Sequence, residues 1–312
     1  MELYLAPMEG ITTYTYRNTH AELFGGCDAY YAPFIVPTDN EKLSLKSLRD
    51  VSPERNKVNL KVQVMCSTPT AFFEFTRKIK EIGYDEVNIN FGCPSGTVVK
   101  KARGSGAFKD TGKLDELLCG IFDKADIKIS IKTRTGFYSH DEFENILKIY
   151  KKYPISKLIV HPRVREEQYR GEPNLDSFKK AYEASKENLC YNGNIYSISD
   201  YQNIEEKFTG INSVMIGRGC VRNPAIFREI RGGGKLTTDE LINFSNVLEK
   251  RYLELFKSEI NTLRKLKEIW MHMITNYPGE HRIIKAVKKA SRLTELNGAI
   301  NSLPDNIVIK ER

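Results

Sequence analysis

Eight short runs of apolar and β-branched residues recur through the first three quarters of this 312-residue chain, and they constrain its fold more than any other feature. Each run is followed by a stretch with the apolar spacing of a helix, an alternation typical of β/α units around a parallel sheet. Eight units over about 230 residues favour a closed (β/α)8 barrel, the TIM barrel, over an open doubly wound sheet. The runs cover residues 3–6, 29–32, 60–64, 86–90, 127–131, 157–160, 189–191 and 213–216.

Local signals predict where helices begin and where the architecture changes. Thr68 before Pro69 predicts a helix N-terminus, and Ser139 with Glu142 predicts a capping box. The glycines at 232–234 cannot continue a helix cheaply, and no strand-like run follows them. We therefore predict a catalytic barrel over residues 1–234 and a helical domain over residues 235–312.

The tail beyond residue 234 is predicted to be a small bundle of three helices. Thr237 and Glu240 form a capping box at its start. Three sets of apolar residues then recur with helical spacing. They are Leu241, Phe244, Leu248, Tyr252 and Leu255, then Leu263, Leu266, Trp270, Met273 and Ile274, then Ile283, Val287, Ala290, Leu293 and Leu296.

Composition limits the class of protein. No apolar run approaches the ~20 residues of a membrane-spanning helix, and no signal peptide is apparent at the start, so we expect a cytoplasmic protein without membrane contact. The six cysteines form no CxxC pair, and we expect neither a disulfide framework nor a metal site. Lys and Arg exceed Asp and Glu by 48 to 40, and residues 235–312 contribute 14 against 10. This excess favours a polyanionic partner, although a well-mixed basic surface is also common in soluble proteins.

Distinctive short sequences follow the predicted strands, and in a β/α barrel the chemistry lies in the loops at those strand ends. In chain order they are APMEGIT at 6–12, Gln63 within strand three, NINFGCPS at 88–95, KTRTG at 132–136, HPRVR at 161–165, NGNI at 192–195 and IGRG at 216–219.

This ordered set resembles the tRNA-dihydrouridine synthases, and the resemblance extends through NPAIFREI at 223–230. It covers nearly the whole chain, since that family also has a helical tail. The resemblance implies an FMN-dependent oxidoreductase that reduces the C5–C6 bond of specific uridines in tRNA. NADPH is the implied source of electrons, with NADH the other possibility. No obligate protein partner is implied.

Cys93 is the candidate catalytic residue. A lone cysteine is usually a small buried hydrophobe, but Gly92 and Pro94 place this one in a loop directly after a strand. By resemblance it is the general acid that protonates C5 while hydride reaches C6. A thiol with a pKa near ~8.5 is largely protonated at neutral pH and acidic enough to release its proton. Asn90, at the end of the same strand, is expected to hold the uracil edge.

The candidate flavin site gathers residues from several strand ends. Lys132 ends a buried-looking strand, where its charge needs a partner, and an anionic reduced flavin ring would supply one. Glycines after strands seven and eight allow backbone N–H groups to approach a phosphate. The resemblance implies that the following residues bind FMN: Pro7, Met8, Glu9, Gln63, Lys132, His161, Asn192, Gly193, Asn194, Gly217 and Arg218.

The candidate RNA contacts combine cations with an aromatic residue, which suits phosphate contact and base stacking. A solvated loop or helix face of mixed charge is the alternative interpretation. The predicted contacts are Arg163, Arg165, Tyr169 and Arg170 after strand six, Lys100 and Lys101 after the cysteine loop, and Arg282, Lys285 and Lys289 in the tail.

Two other functions are alternatives to this one. Another FMN barrel, such as a dihydroorotate or dihydropyrimidine dehydrogenase, reduces the same bond in a small molecule but needs no basic tail. A tRNA-binding protein that has lost the chemistry would not need Cys93, Lys132 and Gln63. One departure from the family is that Ser95-Gly96-Thr97 stands where a lysine often follows the Cys-Pro pair. This departure concerns how the cysteine loop closes.

Overall fold

A computed structural model describes residues 1–37, 44–184, 187–274 and 280–305. Eight parallel strands pair in chain order, and β1 closes the barrel on β8, where Leu5 lies opposite Ile216. The predicted (β/α)8 barrel is confirmed. The strands are β1 (Glu2–Leu5), β2 (Ala29–Tyr31), β3 (Leu60–Val64), β4 (Glu86–Phe91), β5 (Lys128–Arg134), β6 (Leu158–His161), β7 (Leu189–Tyr191) and β8 (Ser213–Ile216).

Helices separate the strands and form the tail. Those of the barrel are α1 (Tyr14–Leu23), α2 (Leu45–Val51), α3 (Pro69–Glu81), α4 (Gly96–Val99), α5 (Thr111–Phe122), α6 (Glu142–Tyr150), α7 (Leu175–Ala184), α8 (Ile198–Lys207), α9 (Arg218–Arg222) and α10 (Ile226–Ile230), with a 3₁₀ helix at Gly104–Lys109. The tail contains α11 (Thr238–Phe256), α12 (Glu259–Met273), α13 (Glu280–Lys289) and α14 (Leu293–Asn301). No helix in the described ranges is long and apolar enough to cross a membrane.

The alternation of side chains along each strand separates two parts of the core. Leu3 and Leu5 of β1 join a large apolar cluster, whereas Tyr4 between them joins a separate small one. Because successive strand residues point to opposite faces, the small cluster fills the barrel interior and the large one packs between strands and helices. Strand β5 extends beyond its last apolar residue, through Lys132 to Arg134, and its side chains keep alternating between the two faces. The sequence pattern predicted that this strand ends at residue 131, because the residues that follow are polar.

Two of the three helix-start predictions are confirmed. The Thr68 hydroxyl accepts the Ala71 N–H at the start of α3, and Thr237 with Glu240 forms the capping box of α11. Only half of the predicted Ser139 capping box forms, because the Glu142 carboxylate accepts the Ser139 N–H but the Ser139 hydroxyl does not accept the Glu142 N–H. Helix α6 begins at Glu142, so the Ser139 hydroxyl bonds to Asp141 instead, while the Glu142 carboxylate accepts three backbone N–H groups of the preceding turn.

The prediction of three tail helices is also wrong, because the last apolar set forms two helices, α13 and α14. The break follows Lys289. Lys267 donates to the carbonyls of Lys288 and Ala290 at the end of α13. The Glu295 carboxylate accepts the Ser291 N–H before α14. These bonds satisfy backbone groups that a continuous helix would have paired internally.

The tail packs directly on the barrel. Phe244 of α11 lies edge-on to Tyr16 at 5.5 Å and to Phe24 at 5.3 Å, measured between ring centroids. Buried residues of the tail, including Trp270, belong to the same large apolar cluster as the barrel helices. The predicted domain division at residue 234 stays a prediction, and any such division crosses a continuous core.

Candidate active site

A cavity of about 380 Å³ lies at the carboxyl ends of the strands, a volume within the range of small-molecule sites. Most residues predicted to bind the cofactor and substrate line it. They are Pro7, Met8, Glu9, Gln63, Asn90, Cys93, Lys132, His161, Tyr169, Asn192, Gly193, Gly217 and Arg218. The fold thus brings together residues that span more than two hundred positions of the sequence.

A chain of side-chain amides forms one wall of the cavity. Gln63 Nε2 donates to Asn88 Oδ1 at 2.6 Å, and Asn90 Nδ2 donates to Gln63 Oε1 at 2.8 Å. Asn90 Oδ1 in turn accepts the N–H groups of Gly92 and Cys93, both at 2.9 Å. These bonds fix the orientation of both amides. Asn90 was predicted to hold the substrate, yet its oxygen shapes the cysteine loop, which leaves one N–H for another partner.

Hydrogen bonds from Ser105 close the loop that carries Cys93. The Ser105 hydroxyl donates to the Cys93 carbonyl at 2.8 Å, and the Ser105 N–H donates to the same oxygen at 3.1 Å. Gly104 has φ +53°, and a Cβ there would lie 2.8 Å from that carbonyl oxygen. Closure therefore depends on Gly104 and Ser105, which the sequence reasoning missed, although the motif Gly-Ser-Gly was a signal. A lysine after Cys-Pro is not needed for it.

The Cys93 thiol is half-buried, and burial raises its pKa. Nearby Arg134 and Lys132 oppose that rise without cancelling it. The thiol is therefore protonated at neutral pH, the form that a proton donor requires.

Cations dominate the adjoining wall, which β5 and β6 form next to β4. Burial, and then Arg134, lower the pKa of Lys132 to about 8, and no described carboxylate lies within ion-pair distance of its ammonium group. His161 Nε2 lies 2.8 Å from Arg163 Nη1. Because a guanidinium group only donates, Nε2 accepts and the ring proton sits on Nδ1. Burial and the surrounding cations lower the pKa of His161 well below its ordinary value, so the imidazole is neutral.

Two predicted residues support the site from outside the cavity. Arg163 was predicted to contact RNA, which is wrong, because its side chain is fully buried and donates to His161, to the Gly171 carbonyl at 2.5 Å and to Asn194 Oδ1 at 3.2 Å. Asn194 was predicted to bind the cofactor but does not line the cavity. Its oxygen also accepts from Arg218 at 2.8 Å. Both residues thus position cavity side chains.

Tyr169 covers part of the cavity and is 54% exposed. Its ring lies 5.3 Å from the Arg134 guanidinium carbon and 4.9 Å from that of Arg218. Arg134 also donates to the carbonyls of Gly92 at 2.8 Å and Val164 at 3.0 Å, which connects the cysteine loop to the loop carrying Tyr169. The sequence reasoning missed the role of Arg134.

The remaining predicted RNA contacts lie outside the cavity lining. Arg165 pairs with Glu166, and Arg170 donates to the Glu166 carbonyl. Lys100 and Lys101 are exposed beyond α4, and Arg282, Lys285 and Lys289 are exposed on α13. Conversely, His272 of α12 lines the cavity, and the sequence carried no signal for it because it lies in the tail.

Two glycines at the strand ends of β7 and β8 line the cavity and are packed too closely by neighbouring side chains to carry a side chain of their own. A Cβ on Gly193 would lie 2.0 Å from the Tyr191 hydroxyl, and one on Gly217 would lie 3.2 Å from Ala6 Cβ. Arg218 follows at the same edge. Backbone N–H groups without side chains, next to a guanidinium group, form a suitable environment for a phosphate.

The fold and the site define a (β/α)8-barrel enzyme with a cationic catalytic cavity at the carboxyl ends of its strands. The family model described as Dihydrouridine synthase (Dus) matches residues 4–306. The chain belongs to the dihydrouridine synthase family and is thereby a flavin-dependent oxidoreductase.

Similar proteins agree with this assignment. The chain is 29% identical to tRNA-dihydrouridine synthase B of Pseudomonas putida over 79% of this chain and 74% of that protein. It is 30% identical to the Vibrio vulnificus protein of the same name over 73% of this chain and 70% of that one. A probable tRNA-dihydrouridine synthase of Staphylococcus aureus is 24% identical over 95% of this chain and 91% of that one.

Solved structures share the fold at low sequence identity. Morphinone reductase superposes with a TM-score of 0.50 at 10% identity, covering 75% of this chain and 86% of that one. A 2-naphthoyl-CoA reductase complex gives 0.52 at 11%, covering 74% and 50%.

Proposed function

We propose that this enzyme reduces the C5–C6 bond of uridines in tRNA, with FMN as its flavin and NADPH as the electron source. The observation that carries the proposal is the placement of a protonated thiol, Cys93, and the ammonium group of Lys132 in one cavity, at the ends of two neighbouring strands. The relatives' names, which specify tRNA, support the substrate. The basic helical tail over residues 235–312 is proposed to contact the tRNA.

The cavity residues fit FMN. Gly193, Gly217 and Arg218 would hold its phosphate, because they place two glycine backbones and a guanidinium group together in the cavity lining. Lys132 would lie against the ring, since its ammonium group has no described carboxylate partner and an anionic reduced ring would supply one. Gln63 keeps one N–H and one lone pair for the ring edge. When bound, the reduced flavin supplies hydride to C6.

The protein supplies the proton. Hydride at C6 leaves negative charge at C5, and the Cys93 thiol donates its proton there, after which the thiolate takes a proton from solvent. Asn90 and Ser105 hold the loop so that the thiol stays in the cavity. The target base must leave its stack, because the cavity residues cannot reach it inside a folded RNA.

The proposed function can be tested by assaying the purified protein with tRNA as substrate. Purified protein, FMN and NADPH are incubated with tRNA from a strain that lacks this gene, and dihydrouridine is measured by mass spectrometry of the nucleosides. We expect dihydrouridine at specific positions, and equal activity in Cys119→Ala, since that thiol is exposed on α5. Absence of the product would contradict the proposal. Reduction of free uracil without tRNA would instead favour a small-molecule pyrimidine reductase.

A further inference from the structure

Two further cavities continue the catalytic cavity toward the helices α1, α2 and α11. The nearer one has a volume of about 220 Å³ and the farther one about 480 Å³. We call the pair the side groove. The nearer cavity shares Glu9, Pro33 and Phe34 with the catalytic cavity, and it shares Tyr14, Arg49 and Leu255 with the farther one. The three cavities therefore lie next to one another, in a row that starts at the cavity of Cys93.

The nearer part of the side groove has four aromatic residues in its lining, beside three cations and two carboxylates. Tyr14, Phe34, Tyr252 and Phe256 line it, and the rings of Tyr252 and Phe256 stack at 5.5 Å. Its volume is below the ~300 Å³ at which drug-sized sites begin, so it suits a group the size of a single base. Aromatic faces bind bases without regard to sequence, because every base has a π face.

The farther part is cationic. Four cations and two carboxylates line it, and one of those carboxylates, Glu22, is taken by Arg251 at 2.6 Å. Arg49, Arg55 and Lys57 make no ion pair with a carboxylate in the described ranges. These three cations can meet an anion without losing an ion pair, and Arg55 also lies over the Tyr14 ring, with its guanidinium carbon 5.9 Å from the ring centroid.

We infer that the side groove binds the RNA strand that adjoins the target uridine. The neighbouring base would lie against the aromatic residues of the nearer cavity, and the phosphates that follow would meet Arg49, Arg55 and Lys57. This inference rests on the proposed function. A strand explains the order of the features, since a flipped-out uridine leaves the catalytic cavity through its own backbone. The aromatic residues lie next to that cavity, and cations continue beyond them where phosphates must follow.

The test compares two charge-matched double variants. Arg49→Ala with Arg55→Ala removes two groove cations. Lys124→Ala with Lys207→Ala removes two exposed cations that precede β5 and β8, at the opposite end of the barrel. Binding to tRNA lacking dihydrouridine is measured over a range of salt concentrations. For the groove variant we expect affinity lower by roughly tenfold and a log–log salt slope flatter by about 1.4, from ~0.7 per contact with a single strand. The control should change little.

Two further measurements separate binding from folding and chemistry. Arg49→Lys with Arg55→Lys should recover most of the affinity, because phosphate contact needs the charge. The groove variant should reduce bound flavin with NADPH at the wild-type rate and show a raised KM with an unchanged kcat. Unchanged affinity and slope, or an equal loss in the control, would overturn the inference. Because these are binding measurements, a wild-type protein that binds tRNA but forms no dihydrouridine would count against the proposed function alone.

Discussion

The catalytic cavity and the outer face of α13 both carry predicted functional residues. Hydrogen bonds fix the residues in the cavity, whereas those on α13 are exposed. In the cavity, Asn90 is fixed by three hydrogen bonds that involve Gln63 and the cysteine loop. On α13, Arg282, Lys285 and Lys289 are exposed, and none pairs with a carboxylate that the structure describes. Groups that act as a unit lose function together, whereas independent surface charges contribute additively. The two regions should therefore respond differently to substitution.

The largest effect is expected from Cys93→Ala, which removes the proton donor and leaves the cavity cations Lys132, Arg134 and Arg218 in place. General acid catalysis typically contributes 10²–10⁴-fold, so oxidation of the reduced flavin by tRNA should slow by about that factor. Reduction of the flavin by NADPH should barely change. Stopped-flow absorbance measures the two half-reactions separately.

Either of two results would redefine the role of Cys93. Wild-type reoxidation by tRNA in the variant would make Cys93 a packing residue. A collapse of the NADPH half-reaction would show that the cysteine loop shapes the flavin site. Arg134 provides the link, because it lies on the same strand as Lys132 and donates to the Gly92 carbonyl of that loop.

The second prediction concerns the cost of burying Lys132 in the flavin-free protein. Its pKa is lowered from 10.5 to about 8. Below pH 8 the buried charge is present and destabilises the fold. Between pH 8 and 10.5 the unfolded state binds the proton that the folded state lacks, so stability should rise with pH. At one pKa unit per 1.36 kcal/mol, Lys132→Met should stabilise the flavin-free protein at pH 7 by about 3 kcal/mol.

Urea unfolding of both proteins from pH 7 to pH 10 tests this, with the difference between them as the quantity of interest. The difference should shrink above pH 8. With reduced FMN bound under anaerobic conditions the order should reverse at pH 7, because the anionic reduced ring would pair with the lysine. A constant difference at every pH would show that water solvates the Lys132 charge.

Most of the barrel was predictable from sequence, because strands that are buried on both faces read as apolar runs. The failures occurred where polar residues continue a strand or cap a turn. Strand β5 runs to Arg134 because its polar side chains Lys132 and Arg134 face the cavity, which a hydrophobic pattern cannot register. The break between α13 and α14 depends on Lys267, which is distant in sequence.

The site was predictable where a motif marks a strand end, and less so where contacts decide the role. Cys93, Lys132 and Gln63 line the cavity as expected. Arg163 follows the same strand end as His161, and only burial shows that it holds the histidine rather than RNA. His272 enters from the tail because α11 and α12 pack on the barrel, a tertiary fact without a local signature.

The smallest effects are expected from substitutions on α13. Their effects on tRNA affinity should be additive, unlike those of substitutions in the cavity. Arg282→Ala, Lys285→Ala and Lys289→Ala each remove an exposed cation, while Ile283 and Val287 keep the helix packed. Each change should lower tRNA affinity a few-fold and flatten the log–log salt slope by roughly 0.7 to 0.9, and the triple variant should lose about the product of the single effects. Flavin reduction should not change. Filter-binding titrations at several salt concentrations measure all four proteins. If one variant accounted for the whole loss, α13 would present a single specific contact. If none changed the affinity or the slope, the basic face would serve only solvation, and the RNA contacts would belong to the barrel.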